Sequence, residues 1–437
     1  MKYFLSRESV LKRLETPSVY NIKKDDLYEL DEESFEFLQN CAAVRGCEAA
    51  EDGFVGYCLK EGILTEDKVI LERHPLIQSP QPSLRYLELQ ITNNCNLKCK
   101  HCYIGEKTIL ERSNPLTSPF RNGGMGGFEK SSPLQNFDEL SVKQIQVILR
   151  EFEEMQGLRV LITGGEPLMH RRFEEINEML PHFLLRKVLF TNGLLLHNRI
   201  LSKLNVDEIQ ISIDGLETAH DSLRGKGTFR SAIGAVKRAL DSGFDVSIST
   251  MVHRGNLADF DGMERLFISM GIKDWTVDVP CITGRLEEHN EFQISPEHGG
   301  RYLKYGYGNG LHSGASGFGC GLHLMAILAD GRVSKCTFYT DKPVGMVEDG
   351  LRECWQRIKP VKLDELRCDC RYIESCRGGC RYRALLLGDR LGRDLYRCYM
   401  YDIINERNDP NRSPGSSMKG GVFNDDQEGI QKGLYNL

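Results

Sequence analysis

The sequence has no run of apolar residues that approaches the roughly 18 needed to cross a membrane. Its first residues, MKYFLSRESVLKRLE, are too charged for the apolar core of a signal peptide, so no export signal is expected. Positive charge is not in excess either, since the formal net charge is −6 and the isoelectric point is near 6.1. A nucleic-acid partner held through its phosphates is therefore not expected. These absences predict a cytoplasmic protein without a membrane span, in which thiols stay reduced.

The 437 residues suffice for about three domains. The hydrophobic and charged fractions, 40% and 27%, are those of an ordinary globular protein. Fifteen cysteines in a reducing compartment indicate metal ligands rather than disulfides. The early cysteines Cys41, Cys47 and Cys58 are predicted to be small core or surface residues. The solitary Cys281 ends the last predicted strand and could face the substrate, but packing is the favoured role.

The pattern of apolar and turn-forming residues divides the chain into regions. Residues 1–80 carry the short strand-like runs SVYNI and LYEL and two helical patterns, DEESFEFLQNCA and FVGYCLKEG. A proline-punctuated linker, HPLIQSPQPSLR, follows. Strands and helices alternate between residue 86 and about residue 285, which predicts a parallel α/β sheet with right-handed crossovers. Six strand–helix units favour an open or partial barrel over a closed one of eight units. In such folds ligands bind at the carboxyl ends of the strands. The strand candidates are YLELQIT, LRVLITG, KVLFTNG, EIQISIDG, DVSISTM and WTVDVP.

Three cysteines, Cys95, Cys99 and Cys102, follow the first of these strands directly. Thiolates this close together bind zinc or an iron–sulfur cluster. Structural zinc needs a fourth protein ligand, which no nearby residue supplies, whereas a cluster held by three thiolates leaves one iron open. Spacing alone leaves zinc completed by a distant residue and a cluster with an open iron as alternatives.

The CX3CX2C spacing of these cysteines resembles the signature of radical S-adenosylmethionine enzymes, and further motifs of that family follow in order. TGGEPL at 163–168 resembles the glycine-rich turn that meets the amino group of S-adenosylmethionine. TNG at 191–193, SIDG at 212–215 and HDSLRGKGTF at 220–229 resemble its other cofactor contacts. The resemblance implies that the cofactor is bound by Gly164, Gly165, Glu166, Pro167, Asn192, Ser212, Asp214 and Arg224.

The resemblance also implies a reaction. A reduced 4Fe–4S cluster on Cys95, Cys99 and Cys102 would cleave S-adenosylmethionine, and the resulting 5′-deoxyadenosyl radical would take a hydrogen atom from the substrate. A flavodoxin or ferredoxin-type protein is the expected reductant. Asp278, at the end of the last strand, is a candidate general base. His101 and Tyr103 are expected to shield the cluster rather than to take part in chemistry.

Eight cysteines crowd the last quarter of the chain, and their order resembles a SPASM domain with two auxiliary 4Fe–4S clusters, three clusters in all. The resemblance assigns Cys320, Cys336 and Cys380 to the first auxiliary cluster, with Cys354 as a candidate fourth ligand and an open iron as the alternative. Cys368, Cys370, Cys376 and Cys398 would hold the second. Cys368 and Cys370 are one residue apart where the family usually has two. A pair of structural zinc sites is the other interpretation of this quarter.

The N-terminal pattern resembles the small winged-helix-like, PqqD-like α+β domain that binds leader peptides in enzymes modifying ribosomally made peptides. The predicted domains are therefore 1–80 for leader recognition, 86–285 for the partial (β/α)6 barrel and 286–405 for the SPASM domain. Residues 107–137 are expected to form a lid, and residues 406–437 a disordered tail.

The predicted function is hydrogen abstraction from a leader-bound precursor peptide, followed by thioether or carbon–carbon cross-linking. Other chemistry of the same family remains open: formylglycine-type oxidation, epimerisation and tetrapyrrole decarboxylation. A non-catalytic iron–sulfur electron carrier is the alternative from another class, although a carrier has no use for an S-adenosylmethionine pocket.

Overall fold

The structure is a computed structural model and describes residues 1–49, 53–71, 73, 75–104, 138–308, 310–312, 314–319 and 323–404. The predicted lid, the predicted tail and Cys320 therefore lie outside the described residues. Among the helices of the described part, none is long and apolar enough to cross a membrane.

The N-terminal region consists of two small antiparallel sheets and two helices. The sheets have the strand orders β5-β1-β6 and β2-β3-β4. The elements are β1 (Lys2–Leu5), β2 (Ser9–Arg13), β3 (Pro17–Asn21), β4 (Asp26–Glu29), α1 (Glu32–Cys41), β5 (Cys47–Glu48), α2 (Gly53–Glu61) and β6 (Leu64–Thr65). Asp31 caps α1 by accepting a hydrogen bond from the amide of Ser34 at 2.7 Å. Both predicted helices are present, and the predicted strand runs SVYNI and LYEL correspond to β3 and β4.

Cys41 and Cys47 are bonded to each other in a disulfide. The expectation that the cysteines of this chain do not form disulfides is wrong for this pair. The reason lies in the turn after α1, where Gly46, at a φ of +65°, folds the chain back so that the two Cα atoms lie 4.5 Å apart. Cys58 is buried in the N-terminal core, as predicted for a packing residue.

The middle of the chain forms six parallel strands in consecutive order, which confirms the predicted strands. Helix α3 begins with a capping box between Ser141 and Gln144. The strands are β7 (Tyr86–Gln90), β8 (Arg159–Thr163), β9 (Arg186–Thr191), β10 (Glu208–Ser212), β11 (Asp245–Met251) and β12 (Asp274–Asp278). The helices are α3 (Val142–Glu154), α4 (Phe173–Met179), α5 (Asn198–Leu201), α6 (Glu217–Arg224), α7 (Thr228–Asp241) and α8 (Phe260–Ser269).

The two faces of this sheet differ in polarity. In β10, Ile209 and Ile211 are buried in the core that the sheet forms with its helices. Gln210 and Ser212 alternate with them and are only partly buried, so they take the opposite, inner face. Strand β12 repeats the alternation, with Asp278 on the inner face. The inner face is therefore lined by polar side chains near the carboxyl ends of these strands.

The last quarter of the chain continues the same sheet. Strand β13 pairs in parallel with β7, and β14 and β15 follow in antiparallel order, which makes a nine-stranded sheet. The elements are α9 (Pro296–Gly299), β13 (Leu324–Ile327), β14 (Arg332–Ser334), β15 (Gly345–Met346), α10 (Leu351–Arg357), α11 (Ile373–Cys376), α12 (Arg381–Leu386) and α13 (Leu395–Met400). The turn after β14 approaches the segment that follows the cysteine loop, since the rings of Phe338 and Tyr103 have centroids 5.8 Å apart.

A buried carboxylate attaches the N-terminal region to the barrel. Asp25, in the turn between β3 and β4, accepts a hydrogen bond from Arg159 at 2.8 Å and lies 3.8 Å from Arg186. His312 approaches the same carboxylate at 3.4 Å, and Tyr20 donates its hydroxyl to it. Arg159 and Arg186 are the first residues of β8 and β9, so the N-terminal region contacts the amino ends of the strands.

Candidate active site

The three-cysteine loop lies at the carboxyl end of β7. Its backbone is fixed from two sides, since the amide of Lys100 donates to the carbonyl of Leu223 at 3.0 Å and the amide of Arg285 to that of Cys102 at 3.1 Å. Gly284, at a φ of +57°, packs against this loop, and a Cβ there would lie 2.5 Å from the carbonyl oxygen of Cys102. The loop is thus clamped between α6 and the segment after β12.

The thiols of this loop, on Cys95, Cys99 and Cys102, are partly buried. Burial raises the pKa of Cys95 to about 11 and raises the pKa of the other two thiols. A metal that binds such a thiol displaces its proton. Among the described residues, no three His, Cys, Asp or Glu side chains converge closely enough for a single metal ion. The fit to an iron–sulfur cluster therefore rests on the donor chemistry of three thiols on one loop.

The glycine-rich turn after β8 packs directly against the start of the cysteine loop. The amide of Gly165 donates to the carbonyl of Thr92 at 2.7 Å, and the amide of Glu166 to that of Asn94 at 2.8 Å. A Cβ on Gly164 would lie 2.7 Å from the carbonyl oxygen of Thr92, and one on Gly165 would lie 2.4 Å from that of Asn94. Because neither glycine has a Cβ, the backbone of the turn can pack directly against the backbone at the start of the cysteine loop. Two backbone hydrogen bonds thus fix the turn to the start of the cysteine loop.

Glu166 is fully buried and connects the ends of β8 and β9. Its carboxylate accepts hydrogen bonds from the hydroxyl of Thr191 at 2.9 Å and from the amide of Asn192 at 2.9 Å. Burial raises the pKa of Glu166 to about 7, although these hydrogen bonds oppose the shift. The neighbouring Pro167 is also buried and begins a short 3-10 helix. Through its hydrogen bonds Glu166 therefore holds Thr191 and Asn192, at the end of β9, in place beside the glycine-rich turn.

Asn192, at the end of β9, reaches the cysteine loop. Its side-chain amide donates to the side chain of Asn96 at 2.7 Å, between Cys95 and Cys99 in the sequence. Ser212 ends β10 on the inner face and is partly buried. The structure thus brings both predicted cofactor contacts to the rim on which the cysteines lie.

Asp214 and Arg224 form an ion pair at 2.5 Å next to the cysteine loop. The Nη1 atom of Arg224 lies 3.9 Å from the sulfur of Cys99, and its Nη2 atom lies 3.5 Å from Nε2 of His101. Burial would raise the pKa of Asp214, but the Arg224 guanidinium outweighs it and holds that pKa well below its usual range. Burial also lowers the pKa of His101 to about 3, so this imidazole is neutral. A fixed positive charge therefore lies beside a thiol that is predicted to bind the cluster.

Three residues that sequence reasoning did not assign to the site hold the backbone of Asp214. Nδ1 of His220 accepts the amide of Asp214 at 3.1 Å. His253 and Asn256 bind its carbonyl oxygen at 3.0 Å and 3.1 Å. The contacts of His253 and Asn256 could not be predicted from sequence spacing, because both residues lie in the loop after β11, far along the chain from Asp214.

Asp278, the candidate general base, is paired with an arginine from the last quarter of the chain. Arg383 of α12 donates to its carboxylate at 2.6 Å and also binds Asp394 at 2.9 Å. Asp394 in turn accepts the amide of Cys380 at 2.8 Å. The end of β12 is therefore fixed to a segment that carries predicted auxiliary-cluster ligands.

The structure brings the four cysteines predicted for the second auxiliary cluster into one neighbourhood. The sulfurs of Cys368 and Cys370 lie 3.8 Å apart. Burial raises the pKa of Cys376 and of Cys398; the nearby Cys398 and Cys370 add to the shift of Cys376, and the nearby Cys368 and Cys370 add to that of Cys398. Cys354, by contrast, is buried in the main hydrophobic core.

Comparison with known proteins places this site in a family. Residues 89–267 match the family model described as the Radical SAM superfamily. AdoMet-dependent heme synthase of Oleidesulfovibrio alaskensis is 26% identical over 236 residues, 53% of this chain and 54% of that protein. Mycofactocin maturase MftC of Mycolicibacterium smegmatis is 30% identical over 190 residues, 42% of each chain. Sporulation killing factor maturation protein SkfB of Bacillus subtilis is 24% identical over 304 residues, 65% of this chain and 67% of that protein. The chain spans about half the length of the first two relatives.

Two solved structures share the fold. SuiB of Streptococcus suis bound to S-adenosylmethionine has a TM-score of 0.59 at 15% identity, over 89% of this chain and 98% of that one. The structure of anSMEcpe with bound AdoMet has a TM-score of 0.53 at 19% identity, over 74% of this chain and 93% of that one. The predicted mixed α/β radical SAM fold is therefore confirmed. Residues 89–267 thus match the Radical SAM superfamily model, and the relatives of this chain include peptide maturases.

Proposed function

We propose that this protein uses a 4Fe–4S cluster on Cys95, Cys99 and Cys102, together with S-adenosylmethionine, to modify a precursor peptide. When bound, this pair supplies a hydrogen-abstracting radical. The observation that carries the proposal is the contact chain at the cysteine loop, in which Asp214 fixes Arg224 and Arg224 lies against Cys99. In this proposal Arg224 would pair with the carboxylate of S-adenosylmethionine.

The residues of the barrel would position the cofactor and exclude water. The buried Glu166 and Asn192 hold the carboxyl ends of β8 and β9 against the cysteine loop. The polar inner face, with Gln210, Ser212 and Asp278, offers hydrogen-bonding partners to a peptide rather than a wholly apolar pocket. The last quarter of the chain would hold two auxiliary clusters, and a flavodoxin or ferredoxin-type protein would supply electrons.

The N-terminal region offers an edge strand for a leader peptide. In the sheet β2-β3-β4, the outer side of β2 is covered, since Arg13 donates its amide to Gln156 and accepts the amide of Ser79. Strand β4 is the opposite, last strand. An extended peptide can add to such an edge through main-chain hydrogen bonds. We assign leader binding to β4 and expect the modified product to carry a thioether or carbon–carbon cross-link.

A tetrapyrrole is the second candidate substrate, because AdoMet-dependent heme synthase is among the relatives of this chain. A tetrapyrrole enzyme has no need for a peptide-binding edge. The two candidates are separated by offering the purified protein either a candidate precursor peptide or a carboxylated tetrapyrrole.

The test is an anaerobic assay after reconstitution with iron and sulfide, with dithionite as reductant. We expect wild-type protein to form 5′-deoxyadenosine from S-adenosylmethionine and to change the mass of the peptide. The triple variant Cys95→Ala, Cys99→Ala, Cys102→Ala should form none, whereas Cys58→Ala, a buried cysteine of the N-terminal core, should behave as wild type. Iron-loaded wild-type protein that forms no deoxyadenosine would support an electron carrier instead. Deoxyadenosine with tetrapyrrole turnover and an unmodified peptide would overturn the peptide assignment.

A further inference from the structure

Strand β7 carries a carboxylate on the inner face of the sheet. Leu87 and Leu89 of this strand are at most 1% exposed and belong to the core that the sheet forms with its helices. Glu88 lies between them and is only partly buried, so its side chain takes the opposite, inner face. Strands β8 and β13 pair with β7 on its two sides, so Glu88 does not lie at an edge of the sheet.

The carboxylate of Glu88 has few partners within the protein. Its Oε2 atom accepts a hydrogen bond from the amide of Thr337 at 3.3 Å, which is long for such a contact. Across the described ranges of the chain, Glu88 forms no ion pair with a Lys, Arg or His side chain. Burial raises the pKa of Glu88 and outweighs the hydrogen bonds from Thr337. The protein thus supplies this carboxylate with no counter-ion from its described residues.

Other carboxylates on the inner face are paired with arginines. Glu208 of β10 lies 2.9 Å from Arg186, and Asp278 of β12 lies 2.6 Å from Arg383. Such pairing is expected, because a charge that is removed from water without a partner is strongly destabilising. The different surroundings of Glu88 indicate a carboxylate that meets a cation of a bound molecule.

The walls beside Glu88 fit the carbon chain of a long side chain. Leu161 of β8 and Ala326 of β13 are its register partners in the sheet. Both are buried, and neither belongs to the core on the outer face of the sheet, so they flank Glu88 on the inner face. Lysine and arginine place methylene groups against apolar surface and present a charged head group to a polar partner. Two aliphatic walls and a carboxylate between them match that shape and charge.

The carboxylate also lies close to the reaction site proposed above. Its partner Thr337 directly precedes Phe338, whose ring centroid lies 5.8 Å from that of Tyr103. Tyr103 directly follows Cys102, the last residue of the cysteine triplet. A side chain held by Glu88 would therefore bring its own residue near the cysteine loop.

We propose that Glu88 binds a lysine or arginine side chain of the substrate and so selects peptides with a cationic residue at the site of modification. The inference rests on the proposed function, because it names the side chain that the peptide presents to the barrel. It also disfavours a carboxylated tetrapyrrole, whose negative charges Glu88 would repel.

The experiment uses the full chain, reconstituted with iron and sulfide, in the presence of S-adenosylmethionine and without reductant, so that no radical forms. The probes are N-acetyl-lysine methylamide and N-acetyl-norleucine methylamide, which differ only by the ammonium group. Saturation-transfer NMR gives the Kd of each probe for wild type, Glu88→Gln and Glu88→Asp. Glu174→Gln, which changes an exposed carboxylate on α4, is the control. Iron content and melting temperature show whether each variant is folded.

We expect wild type and Glu174→Gln to bind the lysine probe about 10-fold more tightly than the norleucine probe. Glu88→Gln should bind the two probes equally, because it keeps the size of the side chain and removes its charge. Glu88→Asp should keep a reduced preference, because the charge remains on a shorter side chain.

A wild-type protein that binds the two probes equally, or binds neither, would overturn the inference. So would a Glu88→Gln variant with the preference of wild type, since the cation would then be bound elsewhere. Should Glu88→Gln not fold, Glu88→Asp decides alone, and an undiminished preference in it would count against Glu88. No radical forms in this assay, so its failure is distinguishable from a failure to form 5′-deoxyadenosine, which tests the proposed function.

Discussion

Arg224 donates from Nε to the fully buried carboxylate of Asp214 at 2.5 Å, while its Nη1 atom lies 3.9 Å from the sulfur of Cys99. One guanidinium thus connects the end of β10 to the cysteine loop that follows β7. Its planar shape lets it keep the bond to Asp214 and still offer donors to a second carboxylate.

We expect Arg224→Lys to lower kcat/KM for S-adenosylmethionine by about 10- to 100-fold, because an ammonium group cannot make both contacts. Deoxyadenosine formation across a range of cofactor concentrations measures the effect. Arg230→Lys is the matched control, since Arg230 forms an exposed ion pair with Glu217 nearby. Unchanged kinetics for Arg224→Lys would contradict the assigned role.

Gly165→Ala should disrupt the cysteine loop. The added Cβ would lie 2.4 Å from the carbonyl oxygen of Asn94, which is backbone and cannot rotate away. We expect iron content to fall by about four atoms per chain, together with loss of deoxyadenosine formation. Gly56→Ala, on α2 with nothing within 4 Å of the new Cβ, should retain full iron and gain up to about 1 kcal/mol of helix stability. Equal iron in both variants would show that the turn does not support the loop.

Glu29→Pro should abolish leader binding without unfolding β4. The amide of Leu30 donates to the carbonyl of Pro17 at 2.8 Å, and strand alternation therefore points the amide of Glu29 away from β3. Proline removes only that outward donor. Binding of a fluorescent leader peptide is the measurement, and Glu29→Ala, which keeps the amide, is the control. Equal affinity in the two variants would exclude this edge.

Asp25→Asn should remove a pH dependence of stability. Burial would raise the pKa of Asp25, but Arg159, His312 and Arg186 outweigh it and lower the pKa to about 2, below an unfolded value of about 3.9. The stabilisation is therefore fully present above pH 4 and is lost as the pH falls from about 4 to about 2; it amounts to about 2–3 kcal/mol.

Urea unfolding at pH 7 and across that acid range tests this expectation. The exposed Asp67→Asn is the control, and any loss of clusters in acid affects both variants, so it cancels in their difference. If Asp25→Asn and Asp67→Asn lose stability in parallel as the pH falls, the buried network at the barrel base is not the cause.

The order of strands and helices follows from the amino-acid pattern alone, because each strand repeats an apolar pattern whose period follows from backbone geometry. The same pattern also determines that Cys95, Cys99 and Cys102 share a loop at the end of β7, and that Gly165, Asn192 and Asp214 follow later strands. Parallel strands end on the same rim, so their terminal residues gather there without further information.

Which side chains meet across that rim depends on tertiary contacts that local sequence does not reveal. The pairing of Asp278 with Arg383 and that of Asp25 with Arg159 join segments more than a hundred residues apart. The disulfide between Cys41 and Cys47 depends instead on the geometry of one turn. Such contacts follow from how the last quarter and the N-terminal region dock onto the barrel. Local periodicity carries no information on docking, since shape and buried charge determine it.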